Sequence, residues 1–246
     1  HHFTKSMNKS KIKAFITGIG WVSKESMGHI NHIQNHSQQF DRATKLPKIK
    51  RKDILNHPYK PFGRMDDFSK LGFAAIAFAM RDADIKKDGK KKNISLIAST
   101  VTGCLETDIN FQKTLSESLP SPTIFAYTLA SSFLGEAAIY FDLTGESFVI
   151  NEEKTNGLKG LLMALEIIES GESDIVLCGV CNSDIKTIDP SSHIIKPGSL
   201  FFVIEKKSLH SYGAIKSISL ENIYYQNDIK ITGLYDLAEK CSNREI

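Results

Sequence analysis

Residues 147–157 read SFVINEEKTNG, a short apolar run followed by a polar turn, and the helix-patterned GLKGLLMALEII begins at its end. A sharp strand-to-helix turn presents one side chain at the mouth of a pocket and aims backbone N–H groups of the helix start at it. A nucleophile is expected at such a tip, and Lys154 stands there. A lysine attacks only as the neutral amine, which requires a pKa lowered by burial; Glu152 and Glu153 beside it favour the charged form. Four cysteines, at 104, 178, 181 and 241, are too few and too scattered for a disulfide framework. Cys178 and Cys181 form a C-x-x-C, but SDIVLCGVC reads as a buried strand in which cysteine packs as a small hydrophobe. No second pair and no His cluster adjoins it to complete a zinc site, so neither metal nor cofactor is expected.

The elements that position this turn alternate by periodicity between strand and helix. IKAFITGIGWVS (12–23) reads as a strand running into a glycine-rich turn, and 24–63 as a long polar loop with one short helix. DDFSKLGFAAIAFAMRDADI (66–85) is apolar at helical spacing, with Asp66 or Asp67 as its cap. A buried strand (94–100), a helix (107–118) stopped by Pro120 and Pro122, and a second, mostly buried helix (123–141) follow. Beyond the elbow come a helix (156–169), a strand (174–180), and strands at 198–206 and 214–225 expected to pair antiparallel. The last twenty residues read as peripheral. This order predicts an α/β fold, a mixed β-sheet with helices on both faces.

At 246 residues, 41% apolar and 24% charged, the chain buries a full core rather than staying disordered. Its longest apolar runs fall far short of the roughly 20 residues of a membrane helix, and no membrane span is expected. A net charge of +3 is too small to argue for nucleic acid. The leading HHFTKSM reads as a tag and vector remnant (1–7), leaving 8–246 as a single domain. Cysteine usage and the absence of a visible secretory signal point to the cytoplasm. Lysine gathers in KLPKIKRK (45–52) and KKDGKKK (86–92), read either as solvated loops or as a dock for an acidic partner.

The succession of segments resembles the N-terminal half of β-ketoacyl synthases, the condensing enzymes of the thiolase superfamily. The likeness begins at ITGIGWVS, continues through RMDDFSKLGFAAIAFAMRDADI, and is densest from SPTIFAYTLASSFLGEAAIYF to SDIVLCGV. Gly135, Gly145, Gly157, Gly171, Asp174 and Gly179 fall on the family's marks without a gap, and KPGSLFFVIEKKSLHSYGAIKSISL is similar to its later strands. The resemblance implies a thiolase-like fold, N-terminal half only.

It also places the family's nucleophilic cysteine at position 154, which is Lys. A condensing enzyme holds its acyl chain as a thioester on that sulfur, and an amide on lysine would be a dead end. The family's two catalytic histidines belong to a C-terminal half that this chain lacks; His193 and His210 resemble neither and read as loop histidines. The implied role is that of a non-catalytic subunit of chain-length-factor type in aryl polyene, flexirubin or related polyketide and fatty-acid-like biosynthesis. Such a subunit dimerises with a full-length β-ketoacyl synthase, or with itself, and shapes the acyl tunnel.

In that reading Phe148, Val149 and Ile150 pair across the two-fold axis, an edge that is an aggregation liability unless covered. Ile124, Phe125, Thr128 and Leu129, expected on one helical stretch, intrude into the partner's tunnel; core packing is the competing role for the aromatics. The Lys-rich loops offer a dock for acyl carrier protein. The alternatives are a malonyl-carrier-protein decarboxylase and an acyl- or CoA-binding thiolase-like protein.

Overall fold

The computed structural model describes residues 12–30, 38–39, 45–153, 156–184, 196–219, 222–226 and 228–242. Among the described residues ten strands form one mixed sheet: β1 (Ile12–Val22), β2 (Ser26–His29), β3 (Gln38–Gln39), β4 (Ile94–Thr100), β5 (Ser147–Asn151), β6 (Ile175–Asn182), β7 (Gly198–Glu205), β8 (Gly213–Ser219), β9 (Asn222–Tyr225) and β10 (Ile229–Lys230). Their order is β10-β9-β8-β1-β7-β6-β4-β5, with β2 and β3 attached beyond β1. β4 pairs in parallel with β5 and β6, and β7 runs antiparallel to β6 and β1. The α-helices among the described residues are, in chain order, α1 (Arg51–Ile54), α2 (Asp67–Asp82), α3 (Leu105–Ser116), α4 (Pro122–Phe125), α5 (Ser132–Phe141), α6 (Leu158–Ser170) and α7 (Leu234–Ser242).

Successive side chains of the central strands feed two cores, because a strand sends neighbours to opposite faces. Leu96, Leu177, Phe201 and Val203 join Phe73, Ile76, Met80 and Phe133 from α2 and α5. Ile97, Val176, Phe202 and Ile204 join Leu161, Leu165, Ile168, Leu234 and Leu237 from α6 and α7. The near-continuous apolar runs of β4, β6 and β7 are what a strand covered on both faces requires. Asp66 caps α2 as expected, its carboxylate accepting from the Ser69 amide at 2.8 Å.

Five expectations change, the first being that 24–63 is not only loop and helix, since β2 and β3 lie within it. Gly18 and Gly20 lie within β1, not in a turn, because α2 crosses directly over that strand; a Cβ at either would meet α2 backbone at Ala79. Segment 123–141 is not one helix: α4 stops at Phe125 and α5 starts at Ser132. The Thr128 hydroxyl donates to the Phe125 carbonyl at 2.8 Å and that of Ser132 to Ala126 at 3.0 Å, local bonds that compete with the helix ladder. β7 and β8 do not pair, since β1 lies between them and bonds both. Nor is the C-terminal stretch peripheral: α7 buries Leu234, Leu237 and Cys241 in the second core.

Candidate functional site

β5 leads into the elbow, and Glu152, the first residue after it, is buried. Its Oε1 accepts from the Ser99 hydroxyl of β4 at 2.9 Å, and its Oε2 from the Gly157 amide at 3.0 Å. One carboxylate thus ties the end of the parallel sheet to the start of α6. Gly157 adopts φ 70°, the left-handed region glycine enters without penalty, and its amide can therefore turn inward. Any Cβ there would also come within 2.6 Å of the Leu234 side chain. The Asn156 carbonyl accepts from the Leu234 amide at 2.8 Å, bracing the elbow from α7. Lys154 lies outside the described residues, as does His193. His210 is exposed in the loop before β8.

A second polar cluster closes the same end of the sheet. Asn182, fully buried at the end of β6, takes the Val101 amide on Oδ1 at 3.0 Å, and the Thr100 hydroxyl accepts from the Gly103 amide at 2.9 Å. These bonds hold the turn from β4 into α3 against β6. Neither Glu152 nor Asn182 was identifiable as an organiser from the sequence; a lone acid or amide at a strand end gives no periodic signal.

The cysteines do not gather. Cys178 packs in the α6 core and Cys181 in the α2 core, on opposite faces of β6. Burial pushes both thiols far above the ordinary range. Cys104, before α3, is raised to about 11 by burial and by the nearby charges of Asp108 and Asp66. None of these three is a thiolate at neutral pH.

β5 forms one end of the sheet and pairs only with β4 among the described residues. Phe148, Val149 and Ile150 are half-buried, Val149 against one core and the other two against the second. Exposed apolar side chains lie on the segments flanking this strand in the chain: Phe125 (60% exposed), Leu129 (68%) and Ile139 (71%) before it, and Met163 after it. Ile124 and Thr128 are half-buried. The four residues expected on one helical stretch are therefore divided between α4 and the loop behind it. Phe125 is not core; its ring leans on Phe111 of α3, centroids 5.2 Å apart.

Beneath that loop, Glu136 of α5 accepts from two tyrosines, Tyr59 at 2.5 Å and Tyr127 at 2.7 Å. Burial and this carboxylate raise the Tyr127 hydroxyl to about 12, so it stays a donor at any ordinary pH.

Residues 36–191 match the family model described as beta-ketoacyl synthase, N-terminal domain. The chain belongs to this family. The ketosynthase-like chain is similar in structure to the ishigamide ketosynthase/chain length factor, with a TM-score of 0.63 and 17% identity over 84% of this chain and 62% of that one. It is also similar to a ketosynthase (ApeO) in complex with its chain length factor (ApeC) from Xenorhabdus doucetiae, with a TM-score of 0.58 and 16% identity over 80% of each chain. A β-ketoacyl synthase from Burkholderia phymatum aligns with a TM-score of 0.59 and 14% identity over 82% of this chain and 62% of its own. At these identities the likeness is one of fold, the N-terminal half of the thiolase-like architecture. The chain spans about 62% of the first of these structures. No curated protein matches its sequence. Among the described residues no helix is long and apolar enough to cross a membrane.

Proposed function

We propose that this ketosynthase-like chain is a non-catalytic subunit of chain-length-factor type. It pairs with an active, full-length β-ketoacyl synthase and shapes that enzyme's acyl tunnel, in aryl polyene, flexirubin or related polyketide biosynthesis. The observation that carries the reading is the end strand β5. A half-buried apolar strand that is paired on one side only among the described residues, with exposed Leu129, Ile139 and Met163 on the chain segments before and after it, is a surface that proteins cover. Pairing of β5 with the equivalent strand of a synthase would extend the sheet across a two-fold axis and bury Phe148, Val149 and Ile150.

Phe125 and Leu129 stand out from α4 and the loop behind it, and in an assembled pair they would reach the partner's acyl channel. The fold likeness to a ketosynthase with its chain length factor supports the assignment. Absence of catalysis rests on Lys154 at the nucleophile's place and on the raised pKa values of Cys104, Cys178 and Cys181.

Co-expression with the cognate synthase tests the proposal. A stable heterodimer that condenses acyl chains, beside an inert isolated chain, is the expected result. A chain that remains apart from the synthase by size-exclusion with light scattering, or that condenses or decarboxylates malonyl-carrier protein alone, would overturn it.

A further inference from the structure

A cleft of about 390 Å³ opens at the C-terminal end of α2, lined by Lys86 and Lys87 of the second lysine-rich segment, while Arg51 of the first acts on Tyr140 in its wall. Its walls come from the stretch after α1 (Ile54–His57), from Arg81, from Asp84–Lys87, and from Tyr140 and Phe141 of α5. We infer that this cleft is an anion-binding site for a polyphosphate group of the pyrophosphate class, free or carried on a nucleotide or coenzyme.

Three cations surround Tyr140. Lys87 Nζ lies 4.7 Å above its ring centroid and donates to its carbonyl, while Arg51 and Arg81 both act on its hydroxyl, opposing the upward shift that burial causes. Lys86 extends the basic wall. Against these stand two carboxylates, each engaged: Asp84 with Lys86 at 3.3 Å and Asp142 with Lys87 at 3.7 Å. Arg81 has no carboxylate partner among the described residues. Its guanidinium donates to the Ile54 carbonyl and lies 5.5 Å from the Phe78 ring centroid. The protein packed around it lowers its pKa, with only the Tyr140 hydroxyl acting in the opposite direction. A guanidinium held between a carbonyl and an aromatic face keeps further N–H donors in a planar fork suited to phosphate oxygens.

Size narrows the ligand. The cleft lies in the range of small-ligand pockets, and its cations Arg81, Lys86 and Lys87 line a concavity rather than a flat strip. An acidic helix would need the strip. A pyrophosphate carries enough charge to engage Arg81 together with Lys86 and Lys87. Part of the cation cluster answers the partial negative charge at the end of α2, but that end is already served by Arg81 in its last turn.

Isothermal titration of the full chain with sodium pyrophosphate at low ionic strength tests the assignment. The expected result is one site per chain whose affinity falls steeply as salt is raised. Arg81→Gln and Lys87→Gln should each weaken it by about tenfold, the loss of one charge-assisted contact. Lys216→Gln, in a different cleft, should leave it unchanged. ADP binding as tightly as pyrophosphate, or more tightly, supports the same site with the nucleoside outside or along the cleft. Because Arg81 also holds the Ile54 carbonyl, Lys86→Gln serves as a second reporter should Arg81→Gln fail to fold. No binding at millimolar pyrophosphate, sulfate competing equally well, affinity indifferent to all three substitutions, or binding of an acidic peptide in place of pyrophosphate would each overturn the inference.

Discussion

The Leu234 amide donates to the Asn156 carbonyl at 2.8 Å, and this bond fastens the C-terminal helix to the turn between β5 and α6. The Leu234 side chain, fully buried, also fills the space above Gly157. The elbow is therefore held from two sides, by α7 outside and by Glu152 within. Leu234→Ala should cost about 2–5 kcal/mol, the range for a buried leucine whose cavity does not collapse. Urea unfolding measures the loss. Hydrogen exchange at Gly157 and Leu158 should rise more than in β7 if the elbow depends on this brace.

Glu152 accepts from two donors, the Ser99 hydroxyl and the Gly157 amide, and each bonds no other acceptor among the described residues. Glu152→Ala should destabilise by about 1–3 kcal/mol per orphaned donor. Glu152→Gln, which keeps an acceptor oxygen, should lose less. Equal stability of the wild type and the alanine variant in denaturant titration would show that the carboxylate does not organise the turn.

The isolated chain should form no acyl-enzyme with acyl-carrier-protein or acyl-CoA donors. Intact-mass spectrometry provides the check, and a stoichiometric adduct, above all one mapped to Lys154, would refute the non-catalytic reading. Lys154→Cys should still not condense, because a thiolate alone supplies no base for decarboxylation.

Val149→Asp places a charge in the middle of β5, where Val149 touches the first core and its strand carries the proposed seam. The heterodimer should dissociate, with a loss of several kcal/mol for an unpaired charge desolvated at an interface. Light scattering on the co-expressed pair reads this. An intact complex would place the interface elsewhere.

Phe125 is 60% exposed, so Phe125→Ala should change stability of the isolated chain by only about 0.5 kcal/mol. In the reconstituted pair the same substitution should shift products toward longer chains with initiation little altered. Melting temperature and product distribution on one mutant separate the two effects. An unchanged chain-length profile in a normally assembled pair would end the gating role for this residue.

By itself the sequence determined the alternation of strands and helices, the Asp66 cap, the burial of the C-x-x-C strand, and family membership through glycines and apolar runs in fixed order. These are local or periodic signals, which the chain carries residue by residue. Only the tertiary structure decided that Gly18 and Gly20 lie under α2 rather than in a turn, since a close helix crossing leaves no mark beyond a missing Cβ. The break between α4 and α5 escaped periodicity because Thr128 and Ser132 end the helix through single hydrogen bonds to nearby carbonyls. The Glu152 clamp joins residues 53 positions apart, and the bond from α7 to the elbow joins residues 78 apart; both depend on which strands are neighbours. The two lysine runs were plain to read, but that Arg51 of the first and Lys87 of the second both lie by Tyr140 was not. Sheet order and helix crossing bring them together, and contacts at that range are chosen by the packing of the whole chain.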